Sequence, residues 1–216
     1  MIRRVLLIAS LLFVASLLVS AVSVQAAPVP KPHAQPMKAT AAKTAAKGVA
    51  KRPSEPALPD SAAIVALLAG VHNGACPLPG LATGGQPEAA HVAALAKAGF
   101  TTVLDLRTAG EARGFDEDST IKASGLRYVK LPVTPATLDD AVFDQVRELM
   151  NQTGGAGVFV HCASGNRVGA ALIPWLTLDR HWDLECAVAA ARAGGLKSAE
   201  MEATARDYVS RKRGKS

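Results

Sequence analysis

Between Asp60 and Ser210 the apolar residues follow two periods. Leu138, Ala141, Val142, Val146, Leu149 and Met150 recur at three- and four-residue spacings, which places them on one stripe of a helix. TTVLDL (101–106), LRYVKLPV (126–133) and GVFVH (157–161) are instead short apolar runs rich in β-branched residues, the length of buried strands, with Pro132 ending the second. GQPEAAHVAALAKAGF (85–100) reads as a helix with Pro87 near its start and Gly99 as its stop. RVGAALIPWLTL (167–178) is apolar all round, so it predicts a buried helix kinked near Pro174. Two further helices follow, one capped by Asp183 and stopped by Gly194, the other capped by Ser198. Strands alternating with helices, then helices alone, predict an α/β fold with a central sheet flanked by helices.

The ends of the chain read differently. Residues 1–26 open with Arg3 and Arg4, continue as an apolar run and end on Val24-Gln25-Ala26, the layout of a secretory signal peptide. The expected localisation is therefore periplasmic or secreted, or membrane-anchored if the long apolar run is not cleaved. Residues 27–59 are Ala, Lys and Pro with almost no large apolar side chain, and predict a disordered linker. The full chain carries a formal charge of +6, but residues 60–210 hold 12 Lys/Arg against 17 Asp/Glu. The positive charge sits in the linker and in a basic tail, 211–216, and not on the 60–210 domain. No nucleic-acid partner is expected from such a distribution. The linker is read as a solubilising spacer or as a contact with an anionic envelope surface. A monomer is expected.

The chemistry concentrates in VFVHCASGNRVGA (158–170). A buried strand runs into a turn at Cys162–Arg167 and then into a helix. In α/β sheets ligands bind at the carboxyl ends of strands, and a helix N-terminus there aims N–H groups at an anion. Positive potential favours a thiolate. Ala163, Ser164, Gly165, Asn166 and Arg167 are the candidate phosphate-binding residues, with Gly165 allowing close approach of the backbone and Arg167 offering a planar fork. Cys162 is the candidate nucleophile and Arg167 its catalytic partner, as phosphoryl transfer to sulfur requires.

His161-Cys162-Ala-Ser-Gly165-Asn-Arg167 resembles the signature of cysteine-dependent tyrosine and dual-specificity phosphatases, shortened by one residue between Gly165 and Arg167. With ATGGQP, AGFTTVLDLR, GLRYVKLPV and AVAAARAGGL, the chain resembles the beta-lactamase-hydrolase-like, protein-tyrosine-phosphatase-like domain family over about Leu81 to Val209. The resemblance implies a cysteine-phosphatase-like fold with a mostly parallel sheet of four to five strands, and hydrolysis of a phosphorylated substrate. The shortened loop has the length of the rhodanese loop, so sulfur transfer stands as an alternative, as does a non-catalytic phosphate-binding module.

The family pattern puts the general acid on the loop after the strand at Arg127–Leu131, where Pro135 stands. Asp139 and Asp140, a few residues on, are the substitutes, with a solvated first helical turn as the competing reading. His161 is expected to orient the loop, and Gln86 and Asp105 to support the pocket, with a turn or cap role open for Gln86 and a surface pair with Arg107 open for Asp105. Cys76 and Cys186 could pair, or Cys76 could oxidise Cys162. The five His residues show no ligand spacing, so no metal and no cofactor are expected.

Overall fold

The computed structural model describes residues 57–214. The expected leader, and all but the last three residues of the expected linker, lie outside them. Among the described residues no helix is long and apolar enough to cross a membrane.

The chain begins with α1 (Ser61–Leu67), capped by the Asp60 carboxylate on the Ala63 N–H. A hairpin of β1 (Ala75–Leu78) and β2 (Leu81–Gly84) follows, then α2 (Ala89–Lys97), β3 (Thr102–Asp105), α3 (Glu117–Ala123) and β4 (Arg127–Lys130). A single 3-10 turn at Pro135–Thr137 leads into α4 (Asp140–Thr153), β5 (Val158–His161) and α5 (Asn166–Leu178). The chain closes with α6 (Leu184–Ala193) and α7 (Ala199–Arg213). The sheet has five strands in the order β1-β2-β5-β3-β4. β1 is antiparallel to β2, and every other neighbouring pair is parallel. The expected α/β fold with a mostly parallel sheet is what the chain forms.

Strand periodicity divides the core. Val158 and Val160 of β5 point to one face, where they pack with Leu104 against α4, α5, α6 and α7. Phe159 points to the other, with Val103, Ala82 and the inward residues of α1, α2 and α3. β5 lies between β2 and β3, so both its faces are covered and all four of its residues are buried. α5 is buried from Val168 to Thr177, which is why its sequence shows no polar face.

Two boundaries differ from expectation. Leu58, in the expected linker, already packs half-buried against the α1–α3 face. α7 runs on to Arg213, beyond the expected domain end at residue 210. Its last turn is basic, which suits the negative end of the helix dipole. Arg211 pairs with Asp140 and Lys212 with Asp144, so these cations belong to the folded domain.

Candidate active site

β5 ends at His161, in register with Gly84 of β2 and Asp105 of β3. The chain then turns through Cys162–Gly165 into α5, with Gly165 as the N-cap. Gly165 has φ +84°, and a Cβ there would run into the Gly194 carbonyl. Only glycine meets both conditions. The Cys162 side chain is buried, and its Sγ accepts a hydrogen bond from the Gly165 N–H at 3.1 Å.

Neighbouring segments hold the turn from three sides. The Ala163 carbonyl accepts from the Gln86 N–H at 3.2 Å. The Ser164 carbonyl accepts from Asn73 Nδ2 at 2.7 Å. Asn166 Oδ1 accepts the N–H groups of Lys197 and Ser198 at 2.8 and 3.1 Å, tying the turn to the α6–α7 connection. With these groups tied outward, the first-turn N–H groups of α5 have no carbonyl four residues back and present an anion-binding end beside the sulfur.

Arg167, in the first turn of α5, is oriented by the loop after β3. Its Nη1 donates to Glu111 Oε1 at 2.7 Å, and its Nη2 donates to Glu111 Oε2 at 2.5 Å. Nη1 also reaches the carbonyls of Val133 and Leu106 at 3.0 and 3.3 Å. Glu111 is fixed in turn by the N–H and hydroxyl of Thr108. The Arg167 fork holds the Glu111 carboxyl at about 2, well below the usual carboxylate range. Glu111 raises the Arg167 pKa first; burial works against it, and the Cys162 sulfur adds to the rise.

Behind the turn lies a second set of charges. Asp105, Arg107, Glu117 and His161 are each at most 2% exposed. Arg107 donates from Nε to Asp105 Oδ1 at 3.0 Å and from Nη2 to Asp105 Oδ2 at 3.1 Å, and pairs with Glu117. Arg113 reaches Asp105 Oδ2 at 3.1 Å, and Tyr128 donates to both carboxylates. Burial pushes Asp105 up, but the Arg107 hydrogen bonds and the neighbouring positive charge outweigh it and hold the carboxyl at about 2. Burial pushes Glu117 up and His161 down to about 4. Ligand atoms of Asp105, Glu117 and His161 lie within 4.8 Å of one another. The buried guanidinium of Arg107 and the partly exposed one of Arg113 already occupy the carboxylates and would repel a dication, so this is an ion-pair cluster and a poor metal site.

The expected site residues divide into two groups. Cys162 through Arg167, His161, Asp105 and Gln86 come together at the carboxyl end of the sheet. The Asp105–Arg107 pair, left open as a surface pair, is fully buried. Asp139 and Asp140 take other roles. Asp139 caps α4 through the Val142 N–H at 3.0 Å, and Asp140 forms a bidentate, exposed pair with Arg211. Pro135 opens the 3-10 turn. All three cysteines are free. Cys76 packs on the α1–α3 side of the sheet and Cys162 on the other, so neither expected cysteine pairing is present. Sequence reasoning missed Glu111, Asn73, Arg113 and Glu117. The Asn-Gly step at 73–74 is a turn signal, and Asn73 does adopt φ 54°. The three charged residues sit in a polar stretch that gave no hint of burial.

The profile of the family described as "DSP-PTPase phosphatase fused to NAD+ Kinase" matches residues 79–211. The chain belongs to this family. A beta-lactamase hydrolase-like protein of Agrobacterium fabrum is 32% identical over 91 residues, covering 40% of this chain and 21% of that protein. The match thus spans about a fifth of that relative's length. Among solved structures, a DUF442 protein of Shewanella putrefaciens superposes with a TM-score of 0.56 at 19% identity, over 68% of this chain and 97% of that one. TpbA of P. aeruginosa, solved in complex with pTyr, gives 0.51 at 22% identity, over 74% and 91%. These likenesses establish the dual-specificity and tyrosine phosphatase-like fold.

Proposed function

We propose that the protein hydrolyses phosphate monoesters through a cysteinyl-phosphate intermediate on Cys162. One observation carries the reading: the Cys162 sulfur, the Gly165 N–H and the Arg167 guanidinium converge at the N-terminus of α5. Glu111 and the two carbonyls engage one edge of the guanidinium. Nε–H and one Nη2–H remain for two phosphate oxygens. The sulfur attacks phosphorus as the ester P–O bond breaks, and the leaving oxygen takes the electron pair. Arg167 and the turn amides stabilise the equatorial oxygens. Water then attacks the phosphocysteine, releasing phosphate and restoring the thiolate.

Neither Asp139 nor Asp140 supports the role of proton donor, and Glu111 is held ionised. The leaving group therefore departs on its own acidity. Export, with cleavage after Ala26, is part of the proposal and is supported by the layout of the first 26 residues. The test is a paired assay on the full chain: hydrolysis of an aryl phosphate and sulfur transfer from thiosulfate to cyanide, each beside Cys162→Ser. Aryl-phosphate hydrolysis that disappears in the variant, with sulfur transfer at background, is expected. Sulfur transfer dependent on Cys162, or phosphate binding without turnover, would overturn the proposal.

A further inference from the structure

Two pieces of chain must keep a fixed separation for the site to work. The turn at Cys162–Arg167 carries the sulfur, and the loop after β3 carries Glu111, which sets the Arg167 fork. Gln86 lies in the short link between β2 and α2 and meets both. Gly85, just before it, forms a bridge with Ser164, and a Cβ on Gly85 would stand 2.7 Å from the Ala163 carbonyl oxygen. The Gln86 main-chain N–H donates to that carbonyl at 3.2 Å. Its side-chain Nε2 donates to the Arg113 carbonyl and to the Pro87 carbonyl, each at 3.0 Å. These two acceptors set the amide's orientation, because a flipped amide would press Oε1 against two carbonyl oxygens. Oε1 itself is buried and accepts from no donor among the described residues, so the two N–H groups account for the placement of the side chain.

Gln86 thereby closes a ring. Arg113 Nη1 donates to the Glu111 carbonyl at 3.0 Å, the Glu111 carboxylate holds Arg167, and Arg167 leads back along the chain to Cys162. Apart from Arg167, Gln86 is the one described residue whose hydrogen bonds join the turn to the 108–115 loop. We propose that Gln86 is a positioning residue: it fixes the loop against the turn, so that Glu111 aims the Arg167 fork at a phosphoryl group on Cys162. Were Arg167 the only tie, an entering phosphate would draw the guanidinium, and the loop with it, to whatever position suited the bound substrate. With Gln86 as a second tie, the loop stays in place while Nε–H and the free Nη2–H meet the phosphate oxygens. Gln86 acts through Arg113 and Glu111 and not on the reacting atoms, and its part in the chemistry rests on the proposed phosphatase reading.

The experiment compares the full chain with Gln86→Met, which keeps the length of the side chain and the main-chain bond to Ala163 but has no side-chain N–H. Inorganic phosphate binding is measured by calorimetry in two backgrounds. In the otherwise wild-type chain the affinity should fall by about fivefold, the order that a neutral hydrogen bond supports. In a Glu111→Ala chain, where the loop no longer aims Arg167, the same change should alter the affinity by less than about twofold. Equal losses in both backgrounds would mean a general disturbance of the turn, and no loss in either would mean that the tie is idle. Each of these results overturns the proposal. A second readout needs no phosphate: 15N relaxation of the Arg167 Nε–H, its signal assigned by its loss in Arg167→Lys. The group should be rigid in the wild type and mobile in Gln86→Met. An Arg167 side chain that stays rigid in the variant overturns the proposal, whatever the enzyme does. A loosened Arg167 in a chain whose wild type hydrolyses no phosphate ester would instead keep the positioning role and strike the phosphatase reading alone. Should Gln86→Met not fold, Gln86→Asn takes its place, since it keeps the amide but falls one methylene short of the Arg113 carbonyl, and the same results decide.

Discussion

Two arginine–carboxylate forks draw on the loop after β3 and do different work. Arg167 and Glu111 meet at the rim, with side chains 13% and 30% exposed. Arg107 meets Asp105 and Glu117 where the exposure is 2% or less. The chemistry is the same and the burial is not. At the rim, water and an entering phosphate can compete for donors that Glu111 does not engage, so the pair orients a fork that must bind something else. In the interior no competitor can enter. Those charges hold the loop after β3 in place: Arg113 binds the carbonyls of Thr108, Ala109 and Glu111, and Arg107 reaches that of Ala112. The buried fork sets the position of the loop, and the loop presents Glu111 to Arg167.

The largest effect should come from breaking the buried fork. Arg107→Ala leaves Asp105 and Glu117 facing each other without a guanidinium between them. A loss of about 3–5 kcal/mol is expected in urea unfolding. Arg167→Ala, measured the same way, should cost only about 1 kcal/mol or less, since its partner can hydrate. Equal losses would remove the distinction between the two sites.

Next in size is the leaving-group effect. Since neither fork supplies a proton at neutral pH, hydrolysis of aryl phosphates with acidic phenols should outpace that of alkyl phosphates by about 10²–10⁴, the typical worth of a general acid. Similar rates for both would mean that a donor exists, and Asp139→Asn and Asp140→Asn would then be measured for selective loss on poor leaving groups.

These two expectations differ in how far the sequence led to them. The nucleophile turn was legible because β5 is an unbroken apolar run and Gly165 and Arg167 follow Cys162 at short spacing. The helices α2, α4, α6 and α7 were legible from their caps and stripes. The β1–β2 hairpin was not, since ACPLPGLATG carries two prolines and few β-branched residues, and β1 is an edge strand only half-buried. α1 and α3 are seven residues each, too short for periodicity to register. RTAGEARGFDED reads as a solvated loop. Its burial is a tertiary fact: β3 delivers Asp105 and Arg107 to the sheet's end, α3 brings Glu117 across, and the charges then satisfy one another. Asp139 misled because a carboxylate at a helix start serves equally as a cap.

Acid should destabilise the protein through the buried site. Asp105 has a folded pKa of about 2, below its unfolded value, so its contribution is present above about pH 4 and lost as pH falls toward 2. That loss is worth about 2 kcal/mol. Burial lowers His161 to about 4 and raises Glu117, so the two contributions oppose each other between about pH 6.5 and 4. Thermal melts should decline below about pH 4, and a flat profile down to about pH 2 would contradict the burial of Asp105. The smallest effect belongs to Glu111→Gln. Removing the rim carboxylate takes away a repulsion on the entering dianion, so inorganic phosphate should bind severalfold more tightly at low salt, with the advantage shrinking as salt screens it.

The central claim is that the Cys162 sulfur carries the phosphoryl group. It is tested most directly by mixing the full chain with an aryl phosphate, quenching within the first turnovers and mapping the phosphate by peptide mass spectrometry. The account predicts a phosphocysteine at Cys162 that forms in the wild type and is absent in Cys162→Ser. Hydrolysis that proceeds with no phosphate on Cys162, or that survives the Cys162→Ser change, would contradict it.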